Sequence, residues 1–283
     1  MSTAAALNEP LPETDVYAAL TFIKRQKDKP YFKSSALTGG APEVFFETEE
    51  HVVPVYDMRE VAEDLSIERE GFELLRHVTA VEDLYDDDAV DNVYYPELQE
   101  LLKRRFGASQ VVIFDATRRS DGGAGAPNRD GQRGPATRVH VDYTVKSGPQ
   151  RLRDVVGDEE AERLEKAGAR IVQVNVWRPI KGPVQRSPLA LADASSIPAE
   201  DLIATDQVFP DRVGEIYQLA MGEGHRWYYA SQMTPDEVVL IKGWDSLDDG
   251  RARFAPHGAF ELEGSENAPA RESIEVRTLV IIE

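Results

Sequence analysis

The chain has 283 residues, 41% hydrophobic and 29% charged, a length and balance that suit one large folded unit with a substantial core. Its net charge of −19, from 32 Lys+Arg against 51 Asp+Glu, repels a phosphate backbone and argues against a nucleic-acid substrate. With no cysteine, disulfides, thiolate metal sites, iron–sulfur clusters and Cys nucleophiles are excluded, so any transition metal must be held by His and carboxylate.

In chain order, residues 1–14 are small, polar and Pro-containing and read as a poorly ordered tail. They lack the basic start and apolar run of a signal peptide, and no later stretch is apolar enough to span a membrane, so a cytoplasmic location is expected. A short helix is expected around residues 16–20, and an edge strand over 51–56, where Pro54 is tolerated. The acidic run 83–91 lacks the glycine and final glutamate of a calcium loop and reads as a solvated helix start. Apolar residues at helical spacing predict a helix over 95–106 with Gly107 as its stop, followed by a strand over 110–114. The Gly-rich stretch 120–127 lacks the Lys-Ser/Thr of a phosphate loop and reads as a surface loop. An amphipathic helix is expected over 150–168. Strand-like segments then follow at 170–177, 213–219, 227–230, 237–242 and 273–282, separated by Pro, Gly and Asp. A mainly β jelly-roll sandwich with peripheral α-helices accounts for this order. The expected organisation is a single domain over 15–283, with a helical and strand part at 15–109 and the jelly-roll core at 110–283.

Chemistry concentrates at Thr137-Arg138-Val139-His140-Val141-Asp142. On a strand, side chains two apart share a face, so His140 and Asp142 stand side by side and can hold one metal with a distant third ligand, His257 of Ala255-Pro256-His257. Two histidines and one carboxylate are the ligand set of mononuclear Fe(II) oxygenases, with positions left open for cosubstrate and oxygen. Of the other histidines, His51 and His77 read as surface or capping groups, and His225, in an aromatic neighbourhood, as a structural group with a pocket position as its alternative. A strand after His257 carries arginines, whose planar fork suits a dicarboxylate such as 2-oxoglutarate.

A wider set of motifs surrounds these residues: Asn175-Val176-Trp177-Arg178-Pro179-Ile180, Pro183-Val184, Pro188-Leu189-Ala190-Leu191-Ala192-Asp193-Ala194, Trp227-Tyr228-Tyr229, Pro235-Asp236-Glu237 and Arg271-Glu272-Ser273-Ile274-Glu275-Val276-Arg277. Over residues 92–282 the chain resembles the family that includes the cephamycin 7-alpha-methoxylation protein and the gibberellin desaturase-like fungal enzymes. The resemblance implies an Fe(II)/2-oxoglutarate oxygenase with a double-stranded β-helix core, acting on a small secondary metabolite with molecular oxygen. It implies His140, Asp142 and His257 as iron ligands. Hydroxylation, desaturation, ring formation and epoxidation all remain open, as does the oligomeric state.

For the 2-oxoglutarate anchor, Arg271 with Ser273 matches an Arg-x-Ser pattern, and Arg277 is the second choice. The three share strand parity, so alternation does not choose among them. A salt bridge with Glu275 or Glu283 is the structural alternative for Arg277. Asn175 is a candidate for binding the cosubstrate or holding a turn, and Arg178 for binding a substrate carboxylate or bracing the fold. Tyr94, Tyr95, Trp227 and Tyr228 are candidate pocket walls, with plain core as their alternative. Two rival functions are a silent binding barrel and a cupin-type metalloenzyme that does not use 2-oxoglutarate.

Overall fold

The computed structural model describes residues 14–39, 42–129 and 131–283. The expectation for the tail at 1–14 therefore lies outside the described residues except for Thr14, whose carbonyl accepts the Tyr229 hydroxyl.

Seventeen strands are formed by the described residues. They are β1 (Val16–Ile23), β2 (Tyr31–Lys33), β3 (Glu43–Phe45), β4 (Thr48–Asp57), β5 (Phe72–Arg76) and β6 (Gln110–Ser120). Next come β7 (Ala126–Asn128), β8 (Gly131–Arg133), β9 (His140–Val141), β10 (Arg170–Pro179), β11 (Leu189–Ala192) and β12 (Leu202–Val208). The last are β13 (Val213–Leu219), β14 (Trp227–Tyr229), β15 (Glu237–Asp245), β16 (His257–Ala259) and β17 (Glu272–Ile282). The helices are α1 (Ser35–Thr38), α2 (Asp87–Ala89), α3 (Tyr95–Phe106), α4 (Ser147–Val156) and α5 (Asp158–Ala167).

A large sheet runs β1-β4-β14-β11-β16-β9-β13-β12-β2-β3, and a smaller one runs β5-β15-β10-β17-β6. The large sheet curls until β1 returns to its middle, with isolated bridges from Thr21 to Arg138 and from Ile23 to Ala220. The architecture is a jelly roll, mainly β with peripheral helices, as its sequence predicts. Its smaller sheet owes its position to strict alternation in β10. Val172, Val174 and Val176 are fully buried against Tyr94, Leu98 and Leu102 of the α3 layer. Gln173, Asn175 and Trp177 point the other way, between the sheets. Each fully buried Val contributes about 1.5–3 kcal/mol, which is enough to pin that register.

Several local readings change. Residues 16–20 are strand, not helix: Ala18, Leu20 and Phe22 alternate inward within β1, and pairing with β4 overrides the helix propensity of Ala and Leu. β4 lies inside the sheet, yet β14 pairs only with Val55, Tyr56 and Asp57, so Pro54 has a partner strand on one side alone. The expected helix over 150–168 is two, broken at Gly157, whose φ of 85° no helix accommodates. Helix α3 runs as expected to Gly107, which is left-handed with its N–H on the Lys103 carbonyl. The Gly-rich stretch leads into the β7–β8 hairpin.

Candidate active site

His140 and His257 are direct cross-strand partners on β9 and β16, with ring centroids 4.7 Å apart. Asp142 follows two residues on, its Oδ1 3.7 Å from His140 Nε2. The two imidazoles are held identically, each by the carbonyl two residues earlier: Nδ1 of His140 lies 2.9 Å from the Arg138 oxygen, and Nδ1 of His257 3.0 Å from the Ala255 oxygen. A carbonyl only accepts, so Nδ1 carries the proton in both rings and Nε2 is left as a lone pair. Burial first, and then the neighbouring His257, lowers the His140 pKa to about 4, so the ring stays neutral at physiological pH.

The carboxylate is held as firmly. Asp142 Oδ2 accepts from Asn175 Nδ2 at 2.6 Å and from Arg277 Nε at 3.2 Å. Asn175 Oδ1 in turn accepts from Gln173 Nε2 at 2.5 Å. Burial pushes the Asp142 carboxyl up, but Arg277 and the two histidines outweigh it, and the group sits well below the usual carboxylate range. Oδ2 is thus occupied, and Oδ1 is the oxygen turned toward His140.

The two candidate anchor arginines differ in what they bind. Arg277 is saturated, with Nη1 on Asp115 at 2.5 Å, Nη2 on Glu275 at 2.7 Å and Nε on Asp142. The Glu275 alternative is therefore realised, whereas Glu283 pairs with Arg163. Arg271 is 3% exposed and lies over Trp177; its Nη1 donates to the Ser187 carbonyl at 2.9 Å, and its Nε and Nη2 are buried with no partner. Burial, aided by nearby Arg119, lowers its pKa to about 10, still a cation at pH 7. Ser273 is buried on the same strand opposite Arg119 of β6. A small apolar pocket lined by Trp177, Val184, Leu189, Leu191 and Val239 adjoins Trp177, the ring on which Arg271 rests.

The remaining candidates separate by face. Asn175 orients Asp142. Arg178 is fully buried on the opposite face of β10, donating to the His77 ring and, at 2.6 Å, to its carbonyl, with its guanidinium over Tyr94. It braces the α3 layer and does not join the triad. Tyr94 shares that layer, and Tyr95 packs against the same core. Trp227 is fully buried in a second core with Phe22, behind the large sheet. Of the four aromatics only Tyr228 shares the triad's face, through Leu191, which pairs with both it and His257. His225 is bonded to Asp201 at 2.7 Å, away from the triad. Sequence reasoning missed Arg119 and Gln173. The signal for Gln173 is the polar half of an alternating strand, Gln173-x-Asn175, whereas Arg119 is placed by its pairing with Ser273 across β6 and β17.

As the side chains stand, no group of three or more His, Asp or Glu among the described residues, the triad included, is gathered closely enough to hold a metal ion. The donor chemistry nevertheless fits a divalent iron: two imidazoles whose Nδ1 faces a carbonyl, leaving Nε2 for a ligand, and an ionised carboxylate with one committed oxygen form an open face. A jelly roll with such a face on one sheet and a buried, partly unsatisfied guanidinium beside the other has the features of a metal-dependent, 2-oxo-acid-dependent oxygenase. The chain belongs to the family described as Oxidoreductase/YMDC permease-like domain, whose model matches residues 20–281, and its relatives are Fe(II)/2-oxoglutarate-dependent dioxygenases. It is 37% identical over 240 residues to the alpha-ketoglutarate-dependent dioxygenase phiK of Fungal sp., covering 81% of this chain and 83% of that protein. It is 36% identical over 252 residues to the hydroxylase/desaturase efuI of Hormonema carpetanum, covering 82% and 83%. The solved structure of the iron and alpha-ketoglutarate-dependent endoperoxidase NvfI, a protein of Aspergillus novofumigatus, superposes with a TM-score of 0.83 at 29% identity, covering 96% of this chain and 99% of that one. The protein is an Fe(II)- and 2-oxoglutarate-dependent dioxygenase. No helix among the described residues is long and apolar enough to cross a membrane.

Proposed function

We propose that His140, Asp142 and His257 hold Fe(II), that Arg271 with Ser273 anchors 2-oxoglutarate, and that residues 15–283 form one oxygenase domain that oxidises an unactivated C–H bond of a small secondary metabolite. Among dioxygenases we place the chain in the cephamycin 7-alpha-methoxylation and gibberellin desaturase-like branch, on the motifs at 175–180 and 271–277. The observation that carries the reading is a pairing of vacancies: His140 Nε2 lies 3.7 Å from Asp142 Oδ1 with the His257 ring beside it, and two guanidinium donors of Arg271 lack acceptors. Those donors match a carboxylate in two-point fashion, and the Ser273 hydroxyl adds a third.

Bound iron supplies the oxidising chemistry, with 2-oxoglutarate decarboxylated to succinate and CO2 as oxygen is consumed. The chain's own residues do the rest. Arg277 and Asn175 keep Asp142 ionised and fix which oxygen it offers. The Arg138 and Ala255 carbonyls set the imidazole tautomers. Trp177 and its apolar neighbours exclude water around the anchor. The target carbon is chosen by the walls of the opening, where Tyr228 is the aromatic on the triad's face.

The test is anaerobic addition of Fe(II) and then 2-oxoglutarate to metal-free protein, monitoring the visible charge-transfer band of a chelated 2-oxo acid. A band in the wild type and none in His140→Ala is expected. Iron binding without a band would replace this reading with the cupin-type one, and no iron binding would leave the silent barrel.

A further inference from the structure

The strand that presents His140 and Asp142 presents a third group on the same face. Val139 and Val141 are fully buried behind the large sheet, so Arg138 points with His140, and its Cα lies about 7 Å away at the rise of an extended strand. Its guanidinium rests over two phenyl rings, 5.5 Å from the Phe32 centroid and 5.3 Å from that of Phe46. Phe32 lies on the triad's face by register: His140 pairs with Gln218, Gln218 with Ile203, and Gln207, four residues on, with Phe32.

The Arg138 guanidinium makes no hydrogen bond or ion pair within the described residues; its contacts are the two rings. In a chain with 51 acidic residues several partly buried arginines are met by carboxylates, as Arg118 is by Asp87 and Arg170 by Glu68 and Asp245, whereas Arg138, like Arg151 over Phe114 and Tyr143, is met by rings. Ring contact satisfies the π-faces of a guanidinium and strips their water, but it leaves the five in-plane N–H donors without acceptors. The arrangement is a cation pre-oriented by apolar walls, and an anion presented edge-on completes it. Arg271 and Ser273 lie on the opposite sheet, so a ligand of Arg138 is distinct from one held there.

We propose that Arg138 is the substrate-recognition residue of this oxygenase, pairing at the edge of the triad's face with the carboxylate of a largely apolar small molecule whose hydrocarbon part lies along Phe32 and Phe46. The assignment rests on the oxygenase reading above and adds the chemical class of the substrate. A carboxylate fixed there limits which carbons reach the triad, so Arg138 acts on regiochemistry as well as affinity.

The test uses cinnamate and its uncharged counterpart cinnamamide as probes, with binding followed by ligand-observed NMR on the full chain, metal-free and again with Fe(II) and saturating 2-oxoglutarate under nitrogen. Saturable cinnamate binding is expected in both states, at least tenfold tighter than cinnamamide. It should weaken at least tenfold in Arg138→Met, which keeps an unbranched stem against the rings, and be largely retained in Arg138→Lys and Arg271→Gln. Equal binding of the two probes, no cinnamate binding, or an unchanged Kd in a folded Arg138→Met would overturn the assignment and make Arg138 a structural brace. Cinnamate displaced by 2-oxoglutarate and lost in Arg271→Gln would move the carboxylate to the other sheet and overturn it too. Failure of 2-oxoglutarate to bind iron-loaded wild type counts instead against the underlying reading, and is seen without any cinnamate.

Discussion

Replacing each of the two arginines of β17 and its lead-in by Met should shift stability in opposite directions. A guanidinium held at about 10 in place of its ordinary 12.5 is destabilised as a cation by about 3 kcal/mol, and at pH 7 Arg271 bears that cost while charged in both folded and unfolded chains. Arg271→Met removes it and gives up the bond to Ser187 and the contact with Trp177, about 1 kcal/mol each. The ligand-free protein should gain about 1 kcal/mol, or a few degrees in Tm. The same change deletes two charge-assisted donors worth about 1.5–3 kcal/mol each, so 2-oxoglutarate should bind about 10²–10⁴-fold more weakly. Arg277→Met instead strands Asp142, Glu275 and Asp115 and should cost about 3–5 kcal/mol. Thermal melts of the metal-free proteins and anaerobic calorimetric titration of the iron-loaded ones with 2-oxoglutarate measure both quantities. Equal destabilisation by the two substitutions, with 2-oxoglutarate affinity intact in Arg271→Met, would refute the reasoning.

Three further outcomes follow from the wiring. Gly243→Ala puts a methyl group into the Gln173 amide oxygen, so it should disturb the Gln173–Asn175–Asp142 chain and weaken Fe(II) binding about 10–100-fold; an unchanged iron titration would show that the chain does not position the carboxylate. His140→Ala and Asp142→Ala should each abolish iron-dependent succinate formation with a native circular dichroism spectrum, and turnover in either variant would remove it from the ligand set. Glu68 is pushed up by burial but pulled down further by Arg170 and Lys242, to about 2 from 4.5, so its stabilising effect is complete above pH 4.5 and lost as pH falls through 2. Urea melts of wild type and Glu68→Gln should therefore differ at pH 7 and converge near pH 2, and a gap that widens in acid contradicts the assignment.

The triad was legible because its signal is local. His140 and Asp142 lie two apart on a strand, and His257 ends a motif that pairs with that strand. The sandwich was legible for a similar reason: β10, β15 and β17 are apolar runs with turn signals at their ends. What escaped depends on which face of a strand meets which layer. Arg178 and Asn175 are three residues apart on one strand, yet one braces α3 and the other orients the carboxylate, a distinction that parity states only once the inward face is known. Arg271 and Arg277 share parity, so the partners across the sheet had to decide between them. Residues 16–20 read as helix from their Ala and Leu content, and only pairing with β4, a strand beginning 25 residues after Ile23, makes them part of β1.

The division between the sheets also explains why so acidic a chain concentrates arginines at this one place. The large sheet contributes the histidines and Asp142 from short strands and a bend, where few ladder bonds hold them. The small sheet is built of long, continuous strands and contributes Arg119, Arg271, Arg277 and Asn175. Arg277 and Asn175 reach across to Asp142, so the rigid sheet fixes the carboxylate that the less regular one presents. Arg277 is consumed in that task, so in the proposed site the cosubstrate falls to a second guanidinium, Arg271. With its Nε and Nη2 unbonded, Arg271 is expected to keep the ligand-free protein short of its best stability, as sites that must bind an anion commonly do. Arg138 repeats that economy on the other sheet, where phenyl rings replace the carboxylate that would have silenced it.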